Sequence, residues 1–207
     1  MPEKLLFTIF AIMQEHIIST NQRSVDVHSC VSRFRREAVF LEACKACPSF
    51  GKSWICPPLS DELTHKILSY STLTLYIIKV ATDDPEATLR GAIRLQAEEM
   101  LLKEEARLGG YALGFTGRCP YCASCTRADG AECRHPDKAR PSLEALGFDV
   151  GALTEELFGE PLAWNKEIYS FAGALFHNTR TAADDAFSDM NMESQHQPNV
   201  KSQAILS

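Results

Sequence analysis

The hydrophobic pattern divides the chain into alternating extended and helical stretches. Residues 73–80 are nearly continuously apolar and rich in β-branched and aromatic side chains. That is the composition of a strand buried on both faces. Beyond them, Leu89, Ala92, Ile93 and Met100 recur at helical spacing, with Gln96 the polar exception. Asp83, Asp84 and Pro85 provide the start of that helix, with Pro85 at its first position. Gly109 and Gly110 stop it after Leu108. Residues 111–115 read as a second strand. Strand, long helix and strand make a βαβ unit, which predicts two parallel strands joined by a right-handed crossover.

The remaining pattern is shorter-ranged. The apolar run from Leu5 to Met13 predicts a helix over residues 1–20. It imitates a signal peptide, but Glu15 and His16 follow directly and no small-x-small cleavage site appears. Residues 21–29 are polar and read as a connection. Ser60 caps a helix running to residue 69, with Asp61 and Glu62 in its first turn. A short helix starts at Pro141 and ends at Gly147, and Asp149 caps another that reaches Phe158. Residues 166–176 form a last strand. From His177 to the end the chain is polar and aperiodic, as a disordered tail would be. The expected fold class is α/β, with a small mixed sheet, the βαβ unit and cysteine-rich metal-binding loops. The expected division is a helical extension over 1–29, a cysteine-rich domain over 30–176 and a tail over 177–207.

Composition narrows the function. The chain has 207 residues and a formal charge of −6, which argues against a general nucleic-acid binder. No apolar run reaches the length of about 18 residues that a membrane span requires. Eight cysteines without an export signal point to the reducing cytoplasm, where they serve as ligands more often than as disulfides.

The cysteines fall into two groups. Cys119, Cys122, Cys125 and Cys133 have the spacing C-x2-C-x2-C-x7-C. The first three match a ferredoxin run, although the fourth comes later than in bacterial ferredoxins. A cubane offers several iron corners, so successive turns of one loop can each reach a different one. A single zinc more usually takes two well-separated C-x2-C pairs. The spacing therefore points to a 4Fe–4S iron–sulfur cluster, with zinc as the alternative. Arg118, Arg127, Arg134, Lys138 and Arg140 surround the segment, and cations favour the thiolate form. Taken singly, each reads as a solvated surface charge. His135 reads as a surface or supporting histidine rather than a ligand.

The upstream group is Cys44, Cys47 and Cys56, spaced C-x2-C-x8-C. Pro57 and Pro58 exclude a helix at that point, so the ligands sit on a rigid loop. Cys30 is either the fourth ligand of this group or apolar filler in the core. With three cysteines alone, one metal position stays open, which makes a Lewis-acid site for substrate. Phe50 and Trp54 shield the loop or simply pack. No catalytic triad, phosphate loop or dinucleotide fingerprint is visible. Glu98, Glu99, Glu104 and Glu105 read as the solvated face of the long helix.

Cys44-x2-Cys47-Pro48-x-Phe50-Gly51-x2-Trp54-x-Cys56-Pro57-Pro58 resembles the opening signature of the prokaryotic cysteine-rich "predicted metal-binding protein" family. The second half of that signature is matched by Cys119, Cys122 and Cys125 and by Cys133-Arg134-His135-Pro136. Arg140-Pro141-Ser142-x-Glu144-Ala145-x-Gly147-Phe148-Asp149-Val150 continues it. The resemblance spans residues 36–176. It implies metal binding, of iron–sulfur type, at the seven matched cysteines, and no settled reaction. The leading expectation is an electron-transfer protein with up to two clusters that docks on a redox partner protein. The alternatives are an enzyme with an open iron acting on a small molecule, and a zinc-binding structural or regulatory module.

Overall fold

The central apolar run forms a strand with both faces covered, and the other elements are arranged around it. The computed structural model describes residues 17–81, 87–115, 117–165 and 167–179. Four strands make one sheet: β1 (Ile17–Asp26), β2 (Thr72–Ala81), β3 (Tyr111–Leu113) and β4 (Ile168–His177), in the order β1-β2-β4-β3. The helices among the described residues are α1 (Val27–Phe34), α2 (Glu37–Lys45), α3 (Asp61–Leu68), α4 (Ala87–Leu108) and α5 (Val150–Phe158).

Every neighbouring pair of strands is antiparallel. β2 and β3 both run opposite to β4, so they are parallel to each other, as the βαβ pattern predicts. They are not neighbours, because β4 lies between them. The ladder explains this placement. β4 pairs with the whole of β2, from Thr72↔His177 to Ala81↔Ile168, whereas β3 offers only three residues.

Alternation along β2 builds two cores. Leu73, Leu75 and Ile77 face one layer with Leu113, Ala174 and Phe176, covered by Val27, Cys30 and Phe34 of α1, Ile67 of α3 and Leu153 of α5. Tyr76, Ile78 and Val80 face the other layer with Phe171 and Leu175, covered by Ile93, Ala97 and Leu101 of α4. Gly173 permits that second layer to close, since a Cβ there would stand 2.7 Å from Leu101 and 2.8 Å from the Phe115 ring.

The N-terminal expectation needs correction where the chain is described. Residues 17–20 are strand rather than helix, and residues 21–26 continue that strand instead of forming a connection. β1 is a polar edge strand. Its pairing with β2 uses backbone groups and the Ser24 Oγ–Thr74 Oγ1 bond at 2.9 Å, so it needs no apolar alternation. α1 then begins at Val27, capped by Asp26, which accepts from the Ser29 N–H at 2.8 Å. Residues 1–16 of the expected helix, the expected helix start at Asp83-Asp84-Pro85, and residues 180–207 of the expected tail lie outside the described residues. Among the described residues no helix is long and apolar enough to cross a membrane.

Candidate metal centre

The upstream cysteines sit where α2 unwinds into tight turns. Cys44 occupies the last turn of α2, and the Cys47 N–H donates to the Cys44 carbonyl at 2.9 Å. The Cys56 N–H donates to the Ser53 carbonyl at 3.0 Å, and the Gly51 N–H closes the loop on the Pro57 carbonyl at 3.0 Å. The Pro57–Pro58 peptide is cis.

The downstream segment leaves the sheet just past β3. Arg94 of α4 fixes the exit by donating to the Phe115 carbonyl at 2.8 Å. Gly117, at φ +120°, turns the chain where a Cβ would stand 2.6 Å from the Arg94 guanidinium. Beyond it the only regular structure before residue 141, among the described residues, is the 3-10 turn Thr126–Asp129. The buried Thr126 hydroxyl donates to the Glu132 carbonyl at 2.7 Å, drawing Cys125 and Cys133 onto one loop.

Arg127 ties the two segments together. Its Nη1 donates to the Ser53 carbonyl at 2.8 Å and to the Cys56 carbonyl at 2.7 Å, and its Nη2 to the Pro58 carbonyl at 2.8 Å. Its guanidinium also lies 5.3 Å from the centre of the Trp54 ring, whose Nε1 donates to the Ala131 carbonyl at 3.2 Å. Arg127 is therefore a cross-link between loops, not a solvated charge. Sequence spacing has no means of showing this, because the acceptors are carbonyls some 70 residues away.

The joined segments enclose a cavity of about 420 Å³. Cys119, Cys122, Cys125 and Cys133 line it, and Cys56 of the upstream group joins them. Cys44 and Cys47 do not line it, but both stand near enough to Cys56 for their charges to be felt there or at each other. All eight cysteines are free thiols. Among the described residues, no three His, Cys, Asp or Glu side chains converge closely enough to hold a single ion.

Polar groups are directed at those sulfurs. The His135 N–H donates to Cys133 Sγ at 3.4 Å. Burial pushes the Cys119 thiol up, partly opposed by the Tyr121 N–H, while the negative Glu98 adds to the rise. Burial also raises Cys44 and Cys56. Cys125 goes the other way. Burial pushes it up, but the N–H groups of Arg127 and Trp54, the Ser53 hydroxyl and the Arg127 charge together bring it below the usual 9.0. Ser53 and Tyr121 line the cavity; the buried Ser53 hydroxyl is directed at the Cys56 and Cys125 thiols, and the buried Tyr121 hydroxyl at Glu98. Soft sulfur donors on one cavity, with N–H groups and a hydroxyl directed at them, match what a thiolate-ligated centre needs.

Two carboxylates that sequence reading assigns to a solvated face support this site instead. Glu98 is 7% exposed and pairs with Arg94 at 2.9 Å. Burial raises its pKa against that pairing. Glu105 accepts from Arg140 at 2.8 Å and from the Ala112 N–H at 2.6 Å. The two lie seven residues apart, two turns of one helix, on the side that faces the sheet. Cys30 is 0% exposed in the α1 core and does not line the cavity. Its burial pushes its pKa up to about 12, and the charges acting on it are Arg33 and Asp26, not other cysteines.

No curated protein and no solved structure matches the chain. A family model does, over residues 32–195, which takes in α2, the whole cavity and β4. The chain belongs to that family, described as "Predicted metal-binding protein (DUF2284)", and shares its assignment to metal binding.

Proposed function

We propose that the cavity holds an iron–sulfur cluster of the 4Fe–4S type, ligated by Cys119, Cys122, Cys125 and Cys133, and that the protein transfers electrons. The observation that carries this reading is the single cavity lined by sulfur from two distant segments. A single zinc more usually takes two well-separated C-x2-C pairs, whereas these four cysteines lie on one loop segment. A cluster places inorganic sulfide and several irons between its thiolates, so its ligands stand round a volume. When bound, such a cluster accepts and returns one electron. The protein's part is to keep water back with Trp54 and to set the potential through N–H groups directed at Cys119, Cys125 and Cys133. A reducing compartment, the cytoplasm, suits the free thiols. The natural recipient is a redox partner protein that meets the Trp54 side of the cavity.

One observation favours a second reading. With Cys30 sealed in the core, the upstream group of Cys44, Cys47 and Cys56 has no fourth cysteine. Three thiolates leave an iron open to a small molecule, which is an enzyme's arrangement. Anaerobic purification followed by iron, zinc and acid-labile sulfide analysis tests both readings. Iron and sulfide in equal amounts, with a broad visible band that bleaches on reduction, is the expected result. Zinc without sulfide would replace both readings with a structural zinc module. Changing Cys44 or Cys47 to Ser separates the two. Loss of a second batch of iron, with the first retained, assigns the upstream site.

A further inference from the structure

The cavity that gathers the cysteines also gathers unpaired positive charge. Lys52 comes from the upstream loop and Arg118 and Arg134 from the downstream segment, and all three are exposed on its lining. No Asp or Glu is among the described residues that line it, although the whole chain carries −6. Some cations elsewhere are matched, as Arg33 is with Glu156, Lys79 with Glu160 and Arg140 with Glu105, while Arg23, Lys66, Lys103 and Lys138 form no ion pair among the described residues but do not line this cavity. None of these three cavity cations has a carboxylate partner within the described residues, and the nearest approach to a bond is Arg134 to the Ser124 carbonyl at 3.3 Å. Arg127 shows what a cation used for structure looks like here, with its donors taken up by carbonyls. Among the described residues, the side chains of Lys52 and Arg118 donate to none.

We propose that this cavity binds a small organic anion, bearing a carboxylate or phosphate group, between Lys52, Arg118 and Arg134 and beside the cysteines. The inference rests on the metal-centre reading of the same cavity and names its substrate class. Two guanidinium forks can each grip a carboxylate or phosphate in two-point fashion. The cavity of about 420 Å³ is shared between the centre and the anion, which restricts the anion to a small one. The indole of Trp54, 42% exposed, gives the ligand's apolar part a flat wall. A pocket of one sign on a chain of the other concentrates anions at its mouth.

Titration of the anaerobically prepared protein with inorganic pyrophosphate and with malonate tests the proposal, with glycerol as the uncharged control. The chain has two tryptophans, so Trp164→Phe leaves Trp54 as the fluorescent reporter at the cavity. At least one of the two anions should give a saturable change that glycerol does not. Arg118→Gln combined with Arg134→Gln should weaken binding by at least about tenfold, and the matching pair of Lys substitutions should restore part of it. Arg107→Gln, at an exposed pair on α4, should change nothing. Iron and sulfide measured on the same samples should be unchanged. The proposal is overturned if neither anion saturates, if the double variant binds as tightly, or if metal is lost together with anion binding. That last outcome would make these arginines servants of the centre alone. Absence of iron from the unsubstituted protein would defeat the metal-centre reading instead, and the anion titration would still decide this one.

Discussion

At the scale of single residues, the cysteines divide by environment rather than by spacing. Cys30 shares its residue type with seven others but none of their surroundings. It lies in the α1 core at 0% exposure, where its neighbours are apolar. Its pKa of about 12 in the folded protein, against a usual 9.0, fixes a sign. Below pH 9 the thiol is neutral both folded and unfolded, and its contribution to stability is whole. Between pH 9 and 12 the unfolded chain loses the proton while the folded one keeps it. Stability then falls by up to about 1.4 kcal/mol per pH unit from this group. Cys30→Ala lacks that loss. It should cost on the order of 1 kcal/mol at pH 8 and retain all bound metal. Its deficit against the unsubstituted protein should shrink in urea unfolding above pH 9. A variant that loses metal would return Cys30 to the ligand set.

At the scale of elements, legibility followed burial. β2 was readable because both of its faces are core, which leaves a continuous apolar run. α4 was readable as a helix, and Ile93 was placed correctly on its inner face. Ala92 and Met100 pack on the same core, but Glu98 and Glu105 also point inward where periodicity expects apolar residues. Glu98 is held by its helical neighbour Arg94, but also by Phe115, and Glu105 by Arg140, partners remote in sequence that no local pattern encodes. β1 escaped for the opposite reason. An edge strand with polar residues on both faces carries no period-2 signal, and its register comes from β2. The cysteine groups were plain from spacing, but their fusion into one cavity depends on Arg127 and Trp54, which reach carbonyls. The inward carboxylates carry a prediction. Glu105→Ala strips Arg140 and the Ala112 N–H of their acceptor at once. It should cost about 2–4 kcal/mol, read as a lower urea midpoint at constant m-value. Glu99→Ala, on the exposed side of the same helix, should stay within about 0.5 kcal/mol. Equal effects would show that Glu105 is a surface residue after all.

At the scale of the molecule, the protein consists of two parts held by different forces. The sheet and its helices are packed on two apolar cores, and the only cysteine in either is Cys30. The segments over residues 44–58 and 118–140 contribute no member to those cores. They have tight turns, a 3-10 turn and the Arg127 cross-link in place of regular structure. A bound metal centre would close the second part as a core closes the first, because binding energy becomes folding energy where the site is otherwise loosely held. Amide hydrogen exchange measured before and after chelation separates the two. Removing the metal should speed exchange by at least about tenfold over residues 44–58 and 118–140, since local opening there is no longer opposed by ligand binding. Ile77 and Ile78 of β2 and Phe171 of β4 should remain slow, their hydrogen bonds lying inside a sheet that no metal supports. Uniform acceleration through both regions would mean that the centre holds up the whole fold. No change in either would mean that the cysteine segments hold their shape without a metal.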